Sequence, residues 1–117
     1  MTYKIGLCML EPVLGSVNRE RVLVFLFARR EGYARQIAAH FDTDLDPVQK
    51  QLYRLALGGV LVSRKVGRTR LYSFSPRYPF LRELEALLEK ALAFYPSGER
   101  DRLLLIRRRP RRRGKPL

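Results

Sequence analysis

Apolar residues recur at helical spacing in four stretches of this chain. In residues 2–10 they alternate loosely. In residues 19–30, Val22, Leu23, Leu26 and Phe27 share one helical face, with Ser16 or Asn18 as N-cap. Val24 and Phe25 leave that helix few solvent-facing positions, so both its sides are expected to be covered. Gly32 is the expected C-cap, and Tyr33-Ala34 is placed to add one short strand. In residues 33–41, Ile37, Ala38 and Phe41 repeat the helical pattern, which Asp42-Thr43-Asp44-Leu45 breaks. Asp and Thr side chains bond nearby backbone and so favour turns.

A third helix is predicted over residues 46–57. Asp46 is its expected N-cap, Pro47 suits the first helical position and Gln49 the capping-box position. Val48, Leu52 and Leu55 face inward, and Gly58-Gly59 ends the helix. Residues 61–66 and 69–74 read as two strands joined at Gly67-Arg68, where glycine in first place suits a type II′ turn. The Pro76 and Pro79 region is a rigid connector to a helix over residues 80–95. In residues 2–10, Tyr3, Ile5, Leu7 and Met9 predict a strand that Glu11-Pro12 stops. Leu103 to Ile106 is an apolar island too short for its period to assign.

Charge adds direction to this outline. The polar face of residues 46–57 carries Gln49, Lys50, Tyr53 and Arg54. Gln reads adenine edges, Lys and Arg read guanine, and Tyr bonds phosphate or packs on sugar. An ordinary solvated helix face collects the same residue types. The hairpin alters the balance, because it adds Arg64, Lys65, Arg68 and Arg70. Between Pro47 and Arg77 there are seven basic residues and no Asp or Glu. Like charges repel, so folding alone gives no reason for such a patch. The net charge of +13 points to a polyanion, nucleic acid before an anionic membrane surface. Residues 100–117 hold nine Lys or Arg and one acid, which accounts for +8 of that total.

The run Leu52-Tyr53-Arg54-Leu55, Gly59-Val60-Leu61, Val66-Gly67-Arg68 and Leu71-Tyr72-Ser73-Phe74 resembles the ArsR-type winged-helix transcription regulators. The likeness covers about residues 18–95. It implies a winged helix-turn-helix, and the whole pattern predicts a mainly α fold with a small β-hairpin (α+β) and an added C-terminal dimerisation helix. In such proteins the second helix of the motif enters the major groove and the wing lies on the backbone. Gln49, Lys50 and Tyr53 would then face bases. Arg54, Arg64, Lys65, Arg68 and Arg70 would meet double-stranded DNA at its phosphates. The resemblance implies a cytoplasmic transcriptional regulator. It divides the chain into an apolar segment (1–17), the winged-helix domain (18–95) and a basic, flexible tail (96–117).

The helix over residues 80–95 carries two adjacent apolar seams. Phe80, Leu84, Leu87, Ala91 and Phe94 form one; Leu81, Leu88, Leu92 and Tyr95 form the other. One is expected to pack on the domain and the other on a twin subunit, placing two recognition helices about 34 Å apart. The alternative is one helix deeply buried in a monomer.

Other chemistry is scarce. His40 is the only histidine and Cys8 the only cysteine. They cannot supply a thiolate-rich zinc site, so the metal sensing of ArsR-type repressors is not expected here. No phosphate-cradling glycine motif is present and no catalytic set is visible, so neither cofactor nor enzyme activity is expected. No run of about twenty apolar residues predicts a membrane span. His40 is expected to pack beside Phe41 or to cap the helix end. Two other readings stay open. One is an adaptor docking a protein or RNA, as winged-helix domains beside nucleotidyltransferase modules suggest; the acidic turn at Asp42, Asp44 and Asp46 suits it. The other is a sequence-blind DNA binder driven by the arginine-rich end.

Overall fold

Ser16 accepts a hydrogen bond from the Arg19 amide at 3.1 Å and so opens the helix on which the domain is built. The computed structural model describes residues 9–105. The elements in order are α1 (Glu11–Leu14), α2 (Val17–Arg29), β1 (Glu31–Tyr33), α3 (Ala34–His40), α4 (Leu45–Leu57), β2 (Leu61–Val66), β3 (Thr69–Phe74), α5 (Leu81–Ala93) and α6 (Ser97–Leu104). The three strands form an antiparallel sheet in the order β1-β3-β2. Among the described residues the domain is mixed α+β, six helices and three strands, with the short strand expected at Tyr33-Ala34 found at Glu31–Tyr33.

Val22, Leu23, Val24, Phe25 and Leu26 are all buried, so α2 is covered on every side. A helix apolar around its circumference has no solvent face and becomes the centre of its domain. Val48 and Leu52 of α4, Ile37 of α3 and Leu61 of β2 join α2 in one cluster. Leu88, Leu92 and Tyr95 complete it from the α5 end, and Leu103 from α6. Full burial of each such Leu or Val contributes about 1.5–3 kcal/mol.

Several local expectations are corrected. The strand expected over residues 2–10 lies mostly outside the described residues. Its end, Met9-Leu10, is a turn, and Glu11-Pro12 opens the single turn of α1 rather than merely stopping a strand. Arg30, with φ 77°, ends α2 in place of Gly32. Gly32 lies in β1, paired with Tyr72, because it must let the strand cross the Phe25 ring. A Cβ there would stand 2.8 Å from Phe25 Cε1.

The N-cap of α4 falls two residues earlier than expected. Asp44 is its N-cap and Asp46 lies in its first turn, where a carboxylate favours the positive end of the helix dipole. Asp46 instead pairs with Lys50 at 3.3 Å, and Gln49 plays no capping role. Residues 97–104, placed in a flexible tail by the sequence, form α6. That helix docks on α2: Arg29 Nε donates to the Leu103 carbonyl at 2.7 Å, and Leu103 is fully buried. The arginine run at 107–113 lies outside the described residues.

Candidate nucleic-acid interface

The position of α4 is set by its inner face. Val48 and Leu52 are fully buried, and Gln51 accepts a 2.9 Å hydrogen bond from Arg19 Nε. The same guanidinium donates to the Leu14 carbonyl at 2.8 Å, so Arg19 ties α1, α2 and α4 together. With that face held, helical geometry turns the opposite arc to solvent. Gln49, Lys50, Tyr53 and Arg54 are all exposed. Leu57 shares the arc and is also exposed.

The register of the β2–β3 hairpin sorts its basic residues. Gly67 takes φ 62° and Arg68 does not, which matches a type II′ turn, and Val66 pairs with Thr69 across a two-residue loop. Thr69 Oγ1 donates to the Val66 carbonyl at 3.0 Å and tightens the turn. Lys65 pairs with Arg70, and Arg64 with Leu71. Alternation then puts Lys65 and Arg70 on the sheet face of Leu61 and Tyr72, and Arg64 on the reverse. Arg64 meets Glu31 there, 3.8 Å away and exposed.

One cleft gathers three of the eight predicted residues. Its volume is about 440 Å³, and it lies among the start of α3, the face of α4 and the wing. Gln49, Arg68 and Arg70 line it. So do Tyr33, Thr69 and Tyr72, together with Arg35, which the sequence pattern did not single out. No Asp or Glu is among its lining residues. Arg70 is held in place by a 3.1 Å hydrogen bond from its Nη1 to Ser63 Oγ. Three guanidiniums, two phenols and an amide around an acid-free cleft make a donor-rich surface for an anion with flat, polar-edged groups. Lys50, Tyr53, Arg54, Arg64 and Lys65 do not line this cleft. The first three continue the exposed face of α4, and Arg64 lies on the far side of the sheet.

Arg35 is legible only in part. It sits in the first turn of α3, whose entry is fixed by the Tyr33 amide donating to Gln36 Oε1 at 3.2 Å. The exposed side of such a short helix was predictable. Its alignment with a wing about 35 residues further along was not.

His40 packs edge-on between two rings, 4.7 Å from Phe41 and 5.5 Å from Phe25 by centroid. Burial, reinforced by Arg102 and Arg29, holds its pKa below the ordinary histidine range. Among the described residues, no group of three or more His, Cys, Asp or Glu is placed to hold a metal ion. No helix among them is long and apolar enough to cross a membrane. No protein-family model, curated protein or solved structure matches this chain.

Proposed function

We propose that this chain is a winged helix-turn-helix protein that binds double-stranded DNA in a sequence-specific way and regulates transcription. The observation that carries the reading is the cleft in which Gln49 of α4 meets Arg35, Arg68 and Arg70 with no acid among them. The element order from α2 through β1, α3 and α4 to the β2–β3 hairpin, with β1 pairing on β3, supports a winged-helix reading. In this reading α4 enters the major groove. Gln49, Lys50 and Tyr53 face bases, while Arg54, Lys65, Arg68 and Arg70 contact phosphates. Arg35 joins the phosphate contacts, and Arg64, turned to the other sheet face, contributes least. The protein acts by binding, with no catalytic step.

Selection of bound fragments from random duplex DNA tests this directly. The expected result is enrichment of a defined motif by full-length protein, with enrichment reduced on Gln49→Ala. Recovery of random sequence, or of nothing, overturns the reading.

A second reading, a winged-helix adaptor for a protein or RNA partner, draws on two features of α4. Lys50 is already engaged by Asp46, and the exposed arc carries Tyr53 and Leu57, 62% and 71% accessible. That reading predicts no shift of any duplex DNA and retention of a partner that Tyr53→Ala abolishes.

A further inference from the structure

The helix α5 buries only part of its apolar surface. Leu88, Ala91, Leu92 and Tyr95 are inside the core. Phe80, Leu87 and Phe94 are 62%, 39% and 57% exposed. These three lie seven residues apart, from the N-cap to the C-cap of the helix. At 100° per residue they fall within an arc of about 40°, a straight stripe roughly 21 Å long. Three large apolar residues in line on one helix are more than scattered surface hydrophobes.

The charges beside the stripe point to what covers it. Glu83 and Lys90 are exposed and lie on one flank of it, on either side of Leu87. Neither makes an ion pair among the described residues. Reversing the helix about Leu87 exchanges Phe80 with Phe94, returns Leu87 to itself and brings Glu83 to within one residue of Lys90. A two-fold axis perpendicular to the helix keeps that flank on the same side in both copies. Each Glu83 then meets the other copy's Lys90, and each Phe80 the other copy's Phe94. A parallel two-fold pairing would put the charged flanks on opposite sides and make neither ion pair.

We infer that this stripe is the contact between two copies of the chain, packed antiparallel along α5 with the two-fold axis at Leu87. The pattern is self-complementary, as an isologous contact requires. A foreign partner would impose no relation between the two ends of the helix. The segment after residue 105 has only Ile106 and Leu117 to offer an apolar stripe and is otherwise arginine-rich. This pairing is independent of the DNA reading, and a failure of DNA binding leaves its test intact.

Sedimentation equilibrium of the full chain from micromolar to millimolar concentration tests it. The expected mass rises to twice the 13.7 kDa of one chain. Glu83→Lys or Lys90→Glu alone should weaken association about tenfold, since each sets two like-charged contacts across the axis. The double reversal should restore it. Leu87→Cys in a Cys8→Ser background should oxidise to a covalent dimer, while Glu89→Cys, on the opposite side of the helix, should not. Glu83, Leu87, Glu89 and Lys90 are all exposed, and circular dichroism confirms folding of each variant. A single-chain mass throughout, which is also the result if the chain's own ends cover the stripe, overturns the proposal. So does a double reversal no tighter than either single one.

Discussion

The Tyr95 hydroxyl donates to the Glu20 carboxylate at 3.1 Å, joining two residues 75 positions apart. The other carboxylate oxygen accepts from the Leu10 amide at 3.0 Å. Glu20 is fully buried, so one carboxylate in the first turn of α2 fastens both the segment before it and the end of α5. Hydrogen bonds to charged groups contribute about 1.5–3 kcal/mol, and Tyr95→Phe should cost about that much. Denaturant unfolding at neutral pH measures it.

The same carboxylate makes stability depend on pH. Burial holds its pKa above the ordinary value of 4.5, against the opposing pull of the bonds from Tyr95 and Leu10. A raised folded-state pKa means that its stabilisation is complete below 4.5 and is lost as pH rises through the raised value. Unfolding free energy should therefore carry a downward slope from this group over that window. Glu20→Gln keeps an acceptor for Leu10 and lets the Tyr95 hydroxyl turn to accept. It should flatten the slope without destabilising the protein at neutral pH. Thermal melts of both proteins from acid to neutral pH decide this, and parallel curves would refute it.

Gly32→Ala should be far more damaging than its size suggests. The new Cβ would sit 2.8 Å from Phe25 Cε1 and 3.3 Å from Leu26 Cδ2, both on fully buried side chains. The ring or the strand must shift to admit it. Overpacking of this kind costs about 1–3 kcal/mol. A lowered melting temperature with weakened β1–β3 pairing, read by amide exchange across the Gly32–Tyr72 pair, is the expected outcome.

Gln49 and Gln51 are two residues apart and should behave oppositely. Gln51 is buried and accepts from Arg19, so Gln51→Ala leaves a partly buried guanidinium short of a partner. It should lose about 1–2 kcal/mol of stability. Gln49 is exposed on the proposed base-reading face, so Gln49→Ala should leave the melting temperature unchanged and reduce preference for target over random DNA. Parallel melting and competition binding separate the two effects.

Arg35 and the hairpin arginines should differ in salt dependence. Arg35 and Arg68 line the acid-free cleft, whereas Arg64 faces away and meets Glu31. Each phosphate left without its arginine should reduce the slope of log affinity against log salt by about 0.9. Arg35→Ala and Arg68→Ala should each show that change, and Arg64→Ala little of it. An Arg64 effect equal to the other two would mean that DNA approaches the opposite sheet face.

What the chain alone determined is what is local. The periodicity of residues 19–30, 46–57 and 80–95 places α2, α4 and α5 to within a few residues. The glycine at position 67 sets the hairpin turn. The outward positions of α4 follow from Val48 and Leu52, because a helix with a known buried face has a known exposed one. Even the doubled seam of residues 80–95 was visible, and one of its two halves is the buried one.

Tertiary structure decided everything that depends on which elements meet. Nothing near Glu20 in sequence shows that it will be buried, because its partners are a backbone amide ten residues earlier and a phenol at position 95. The role of Gly32 is set by the Phe25 ring beneath it, not by the end of the helix it was expected to cap. Polar residues 97–104 form α6 because Leu103 finds a pocket on α2 and Arg29 caps the carbonyls at its end. Arg35 joins the wing arginines only because β1 pairs with β3 and swings the start of α3 beneath the hairpin. Spacing along a chain fixes direction around a helix or strand, but burial and convergence are properties of contacts between segments far apart in sequence.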